Sequence, residues 1–494
     1  MRFGGRRSSR TVLVAGPTLR IVALAAVFLA GPFVARLCGL PSAGLWPPAA
    51  AQSSSSPRPP VPPPPVDFDL GLDTRVREVT LHNLLDFGDD ETIGGLASDT
   101  HFFRVRHRIW PQLRFRNGWR LYSRFTTEWR KYLDPYLTPK KTEIILDNLY
   151  FDMPKVPGLP LSARIGRQDI IRGEGFILLE GGPLDGSRSI YFNAIVLGLD
   201  GATVGLGKTR LELMGIRNPA WDDYIVANGW DDAARLHNQG RMVENDETAV
   251  GLYATNESWA EHKIEGYYFY KEEEPDFAAD PTLAIHTIGA RLAGPLRWKT
   301  AFAVEGAYQF GRHHPADAPD YDHRSFGGFG WLQRDFRLLF FRPAVKVGAI
   351  YLSGDDGEDR TDQGWVPLFS RWPMWSEMYI YSLVAERNRI ADWSNLAALT
   401  AGASMQIDSR VSLSYAFYYL KAPHAHDPGK APEPWRSGFF GTGTTRGHHH
   451  QVKLSAVMNR AISWHFLIER ILPGDFYLPQ DDAYFLRWEL MLVK

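Results

Sequence analysis

From Asp67 onward the sequence alternates apolar and polar residues with a period of two, and no stretch sustains the 3.6-residue period of an amphipathic helix. Clusters of Gly, Pro, Asp and Asn break the alternation at short intervals, as turns do between strands. Phe103, Val105, His107 and Ile109 share one side of a strand whose other side is Arg104, Arg106 and Arg108. Trp119, Leu121, Phe125 and Trp129 likewise oppose Arg120, Tyr122, Arg124, Glu128 and Arg130. The end of the chain repeats the pattern. Ile462, Trp464, Phe466 and Ile468 oppose Ser463, His465 and Glu469, and Tyr484, Leu486, Trp488, Leu490 and Leu492 oppose Arg487 and Glu489. A ladder of arginines in one register narrows the choice sharply. An arginine facing lipid at the membrane midplane costs about 2–4 kcal/mol, so in a spanning strand the ladder must face a polar lumen.

A soluble sandwich also alternates, and the placement of aromatics separates the two. Trp119 and Trp129 bracket one strand and Tyr484 opens the last, as girdles at two membrane interfaces would. Aromatic residues make up 13% of the chain while mean hydropathy is only -0.26, which excludes a polytopic helical membrane protein. The expected fold class is all-β, a transmembrane antiparallel β-barrel closed by long external loops. At roughly 24 residues per strand and connection, residues 67–494 hold about 18 strands, with 16 also open. Residues 218–246, 313–324, 353–364 and 422–447 read as long external loops or inward-folding lids.

Residues 1–51 read as a signal peptide. The apolar run Ile21 to Ala35 is shorter than the ~20 residues of a spanning helix, Arg2, Arg6, Arg7, Arg10 and Arg20 precede it, and Ala49-Ala50-Ala51 offers a cleavage site before Gln52. The sole cysteine, Cys38, lies in this segment, so the mature chain is expected to be cysteine-free. Residues 52–66 are Ser- then Pro-rich, a semi-rigid linker, and residues 67–494 form the barrel. The expected location is the outer membrane of a Gram-negative-type cell. The net charge of -1 gives no basic excess for a nucleic-acid partner. Seven arginines and no acids fall in the first 66 residues, leaving 48 basic against 56 acidic side chains beyond them.

Three further pieces, in order and spacing, resemble the alginate export porin family. Leu149-Tyr150-Phe151-Asp152 followed by Ala163-Arg164-Ile165-Gly166-Arg167-Gln168 is similar to the family's strand pair ending in Gly-Arg-Gln. Phe192-Asn193-Ala194 stands where the family usually has Phe-Asp-Ala, and Arg470-Ile471-Leu472-Pro473-Gly474-Asp475 resembles its Pro-Gly-Asp signature before the closing strand. The resemblance implies an 18-stranded barrel with a basic lumen. It places Arg108 at a lumenal arginine of the family, whereas Asp147 and Asp169 stand where the alginate exporter has arginines.

Other chemistry is weakly supported. His448, His449 and His450, with His424 and His426 nearby, cannot converge on one ion, because successive strand residues point to opposite faces. Ser463 and His465 share a face but stand about 6–7 Å apart along an extended strand, too far for a nucleophile and its base. The loop Asp355-Asp356-Gly357-Glu358-Asp359 reads as solvated rather than as a Ca²⁺ site. The chain is therefore expected to be a channel, not an enzyme, with no metal or cofactor. It would export or diffuse an anionic, alginate-like polysaccharide or small anionic solutes past Arg104, Arg106, Arg108, Arg120, Arg124, Arg130 and Arg167. Glu128, Glu212 and Asp147 would offset part of that charge. Outer-membrane lipid and periplasmic secretion proteins are the other expected partners, and nucleic acid is not one. A general or small-solute porin is the alternative, a barrel-embedded hydrolase a distant one, and a soluble adhesin-like β protein a more distant one still.

Overall fold

In the computed structural model, eighteen antiparallel strands form one closed wall. The structure describes residues 66–494 apart from 91, 94–95, 136–141, 181–190, 222–224, 229–242, 244, 260, 276–280, 337–340, 371–375, 383, 385–392 and 427–438. The expected signal peptide and almost all of the linker lie outside the described residues.

In chain order the wall strands are β1 (Val66–His82), β2 (Thr100–Phe115), β3 (Arg120–Asp134), β4 (Thr142–Met153), β5 (Leu161–Gln168), β6 (Phe192–Asp200), β7 (Thr209–Asn218), β8 (Asn245–Asn256) and β9 (Lys263–Pro275). They continue as β10 (Thr282–Leu296), β11 (Thr300–His314), β12 (Tyr321–Asp335), β13 (Ala344–Leu352), β14 (Leu396–Gln406), β15 (Val411–Lys421), β16 (Thr445–Val457), β17 (Ile462–Pro473) and β18 (Ala483–Val493). Each pairs with its sequence neighbours, and Asp73–His82 of β1 pairs with Val493–Tyr484 of β18, so no edge is left open. A short strand, Ile225–Asn228, also pairs with β4.

The burial pattern is that of a globular protein turned inside out. Leu399 is 65% exposed and Phe326 53%, whereas Arg77, Arg446 and Arg487 rank among the largest fully buried side chains. Apolar residues facing outward on alternate positions suit a lipid solvent, and charged residues facing inward suit a hydrated lumen. The connections sort by end. Residues 116–119, 297–299, 407–410 and 458–461 make short turns at the end where Lys494 N donates to Leu72 O at 2.9 Å. In the first of these, Gly118 (φ +83) supplies the left-handed residue that the tight turn requires. Trp259 and Trp298 stand exposed at the same end, as girdle residues do.

The long connections follow β5, β7, β13 and β15, strands that finish at the opposite end. One expectation holds only in part. Half of residues 313–324 is strand, and residues 315–320 connect β11 to β12. His313 and His323 are polar because they face the lumen, which a reading of polarity as loop mistakes. Gly447 and Asp246 likewise belong to β16 and β8 rather than to loops.

Candidate functional site in the barrel lumen

Strand register stacks the arginines. Arg75 lies opposite Arg106 and Arg77 opposite Arg104, and Arg104 lies opposite Arg130 on the next strand. Like charges directly opposite repel, and carboxylates interleave them. Arg104 Nε donates to Glu128 Oε2 at 2.6 Å, and Arg130 Nε donates to Glu128 Oε1 at 3.1 Å. Arg77 Nε bonds Glu489, and Arg106 Nη2 lies 3.6 Å from Asp73 Oδ1.

A β-bulge completes the face. The register of β3 on β4 slips between Arg124 and Phe125, which sit opposite Asn148 and Leu146, so Asp147 is the extra residue. Its buried Oδ2 accepts from Arg124 Nε at 2.8 Å and from Thr126 Oγ1 at 2.9 Å. Asp169 accepts from Arg124 Nη1 and Nη2 at 2.8 and 3.1 Å. Asp147 and Asp169 thus both hold Arg124. Arg108 Nε is 3.9 Å from Asp147 Oδ2, beyond hydrogen-bonding distance, and its buried Nε and Nη2 have no hydrogen-bond partner, a lack that the buried Nε of Arg106 shares.

Arg120 lies nearer the short-turn end, paired with Asp152 at 3.2 Å and 5.5 Å from the Tyr150 ring centroid. Arg167 is set apart from the others. It shares the parity of lipid-facing Ile165, donates to Asn193 Oδ1 at 3.0 Å and Leu146 O at 3.1 Å, and covers the Tyr191 ring.

Sequence reasoning did not assign Arg75 and Arg77 to the ladder, although they alternate in β1 as Arg104 and Arg106 do in β2. It named Glu212 but missed the rest of the acidic opposite wall. Glu247, Glu265, Glu273 and Glu305 are buried there too, with Lys271 bonded to Glu247 at 3.1 Å and Arg291 Nη1 to Glu265 Oε2 at 2.6 Å.

Two of the long loops fold into the lumen between these walls. Phe176, Ile177 and Leu178 from one pack with Trp365, Val366, Leu368, Phe369, Met378 and Tyr379 from the other. Phe369 N donates to Ile177 O at 3.0 Å, so the loops pair with each other. The wall holds both. Arg291 Nη2 donates to Glu174 Oε1 at 3.0 Å, and Lys271 Nζ to Leu368 O. Ser376 Oγ and the Glu377 amide donate to Glu469, and Arg487 grips the Glu377 carboxylate. Burial pushes the Tyr379 phenol well above its ordinary pKa. Toward the short-turn end, a cavity of ≈ 700 Å³ is lined by Arg164, Arg172, Lys208, Arg210, Asp169 and Glu212 among others.

The other candidates disperse. His449 points inward to Glu469 at 3.1 Å, while His448 is exposed and His450 bonds the Tyr415 hydroxyl. His465 Nε2 accepts from Arg487 Nε at 3.1 Å, and Ser463 makes no bond to it. Asp355, Asp356 and Asp359 cap backbone amides within their own loop.

A closed barrel with an apolar exterior, a charged lumen and loops folded inside is a porin-type channel of the outer membrane. Residues 237–488, half of the chain, match the Alginate export family, and the chain belongs to it. No curated protein matches the sequence. Among solved structures, the chain is similar to OccAB2 of Acinetobacter baumannii (7% identity, TM-score 0.52), covering 87% of this chain and 98% of that one. It is likewise similar to a BenF-like porin from Pseudomonas fluorescens Pf-5 (10% identity, TM-score 0.51), covering 87% and 99%. At such identities the likeness establishes the barrel alone.

Proposed function

We propose that the channel passes an anionic polysaccharide, or smaller anionic solutes, along the arginine face of β1, β2, β3 and β18, and performs no covalent chemistry. Arg108 carries this reading. A guanidinium that is 11% exposed and has N–H groups with no protein acceptor is a position where a passing carboxylate gains most. Neighbouring arginines keep Asp73, Glu128 and Glu489 as internal partners, so a polymer can exchange one weak contact for the next without being held. Family membership supports an exported acidic polymer as the solute. An export signal in residues 1–51, removed before Gln52, delivers the chain.

Planar-bilayer reversal potentials test the proposal. An anion 4 Å from a guanidinium gains about 1 kcal/mol even in a water-like lumen, about fivefold in occupancy. Arg108→Ser should lower anion-over-cation permeability by that factor or more, most visibly at low salt. Asp147 keeps Arg124 and Thr126, so the variant strands no carboxylate. A cation-selective wild type, or an unchanged variant, would favour the second reading, a general small-solute porin, to which the acidic wall of Glu247, Glu265, Glu273 and Glu305 lends support.

A further inference from the structure

At the long-loop end of the lumen, His313 of β11, His323 of β12 and Asp362 of the loop after β13 bring three ligand atoms within 4.8 Å of one another. His313 Nε2 lies 2.9 Å and His323 Nδ1 3.1 Å from the same oxygen, Asp362 Oδ2. All three side chains are largely shielded, at 8%, 0% and 12% exposure.

The hydrogen-bond network behind His323 determines what faces that oxygen. Gln309 Nε2 donates to Val366 O at 2.8 Å and its Oε1 accepts from Val366 N at 3.1 Å, which orients the amide. Oε1 must then accept the Ser325 hydroxyl proton, at 2.8 Å. With that proton spent, Ser325 Oγ accepts from His323 Nε2–H at 2.9 Å. A neutral His323 therefore turns the lone pair of Nδ1 toward a carboxylate oxygen. Two electron pairs at that distance call for a cation between them. His313 Nδ1, also buried, has no hydrogen-bond partner, so nothing obliges His313 to present a proton at Nε2 either.

We propose that His313, His323 and Asp362 form a site for a divalent transition-metal ion such as Zn²⁺. The two nitrogen–oxygen separations approach the ~3.3 Å edge of a tetrahedron with bonds of about 2.0–2.1 Å. Two imidazoles and a carboxylate are a zinc-type donor set, and Ser325 is the outer partner that fixes the His323 tautomer. The site also has a mechanical role. Asp362 stands three residues before Trp365, and its loop root is already stitched to β12 through Arg324 N to Asp362 O and Asp362 N to Asp322 O, both 2.9 Å. An ion there pins the plug loop to the wall.

The test uses the full barrel in detergent, stripped with a chelator and titrated with Co²⁺ alone under visible absorption, then with Zn²⁺ in competition. The expected result is one ion per chain with a tetrahedral Co²⁺ spectrum. Affinity should fall at least about 100-fold in His313→Ala and Asp362→Asn, and about 10–100-fold in Ser325→Ala, which leaves every ligand in place. Exposed His448→Ala should bind as wild type does. Bound Zn²⁺ should also slow proteolysis within residues 353–395. Absence of saturable binding would make the cluster a protonated His–Asp group and overturn the proposal. Binding that survives Ser325→Ala and His313→Ala but is lost in His448→Ala would overturn it equally, by placing the ion on the histidine run.

Discussion

The plug should be released by one neutralised carboxylate. Arg487 of the wall holds Glu377 of the loop through both guanidinium termini, and the two side chains are 1% and 10% exposed. Removing one partner of a buried pair costs about 3–5 kcal/mol, because the other charge is left in a poor solvent. His465 Nε2 also bonds Arg487 and softens the loss, so the lower figure, about 3 kcal/mol, applies. That cost falls on the loop-in state alone, since an outward loop leaves Arg487 to lumenal water in wild type and variant alike. Glu377→Gln should therefore shift the loop's in–out equilibrium outward about 10²-fold. Met378, next to Glu377 in sequence, is fully buried, and the only cysteine of the sequence is Cys38. A Met378→Cys reporter should thus be labelled by a membrane-impermeant thiol reagent about 10²-fold faster when Glu377→Gln is added, because labelling follows the open population when opening is fast. A change below about threefold would refute the view that this ion pair latches the plug.

Three other outcomes are expected. Trp488→Lys, on the lipid face of β18, should lower folding stability in vesicles by about 2–4 kcal/mol, read from urea titrations, and unchanged stability would mean the strand's facing is misassigned. Gly166→Ala should cost about 1–3 kcal/mol in the same assay. Gly166 has φ +122, and an added Cβ would meet Leu149 O at 2.3 Å. Intact-mass analysis of protein from outer membranes should show a chain beginning near Gln52, and a chain that retains residues 1–51 would remove the signal-peptide assignment.

The closing strand shows what local sequence can carry. Leu486, Trp488 and Leu490 against Arg487 and Glu489 already fix which face meets lipid, because strand geometry enforces a period of two and the bilayer penalises the wrong side. The same logic, repeated over residues 67–494, supplies the barrel class, the approximate strand number and the common face of Arg104, Arg106 and Arg108. Extending it to Arg75 and Arg77 needed only a longer look at β1. What each arginine binds was not legible. Glu489 and Arg77 are 412 residues apart and meet only because the barrel closes, and Glu377 reaches Arg487 only because a loop folds inward. Trp365 and Phe369 lie beyond the loop or lid expected at residues 353–364, and only the lumen gives them a core to join. Asp147 turned inward through a bulge that no periodicity announces, and His313, His323 and Asp362 converge from two strands and a loop. Alternation is a local property dictated by backbone geometry and solvent. Ion-pair partners, plug and clustered ligands depend on closure of the sheet, which brings distant residues within a few ångströms, and only the tertiary structure decides them.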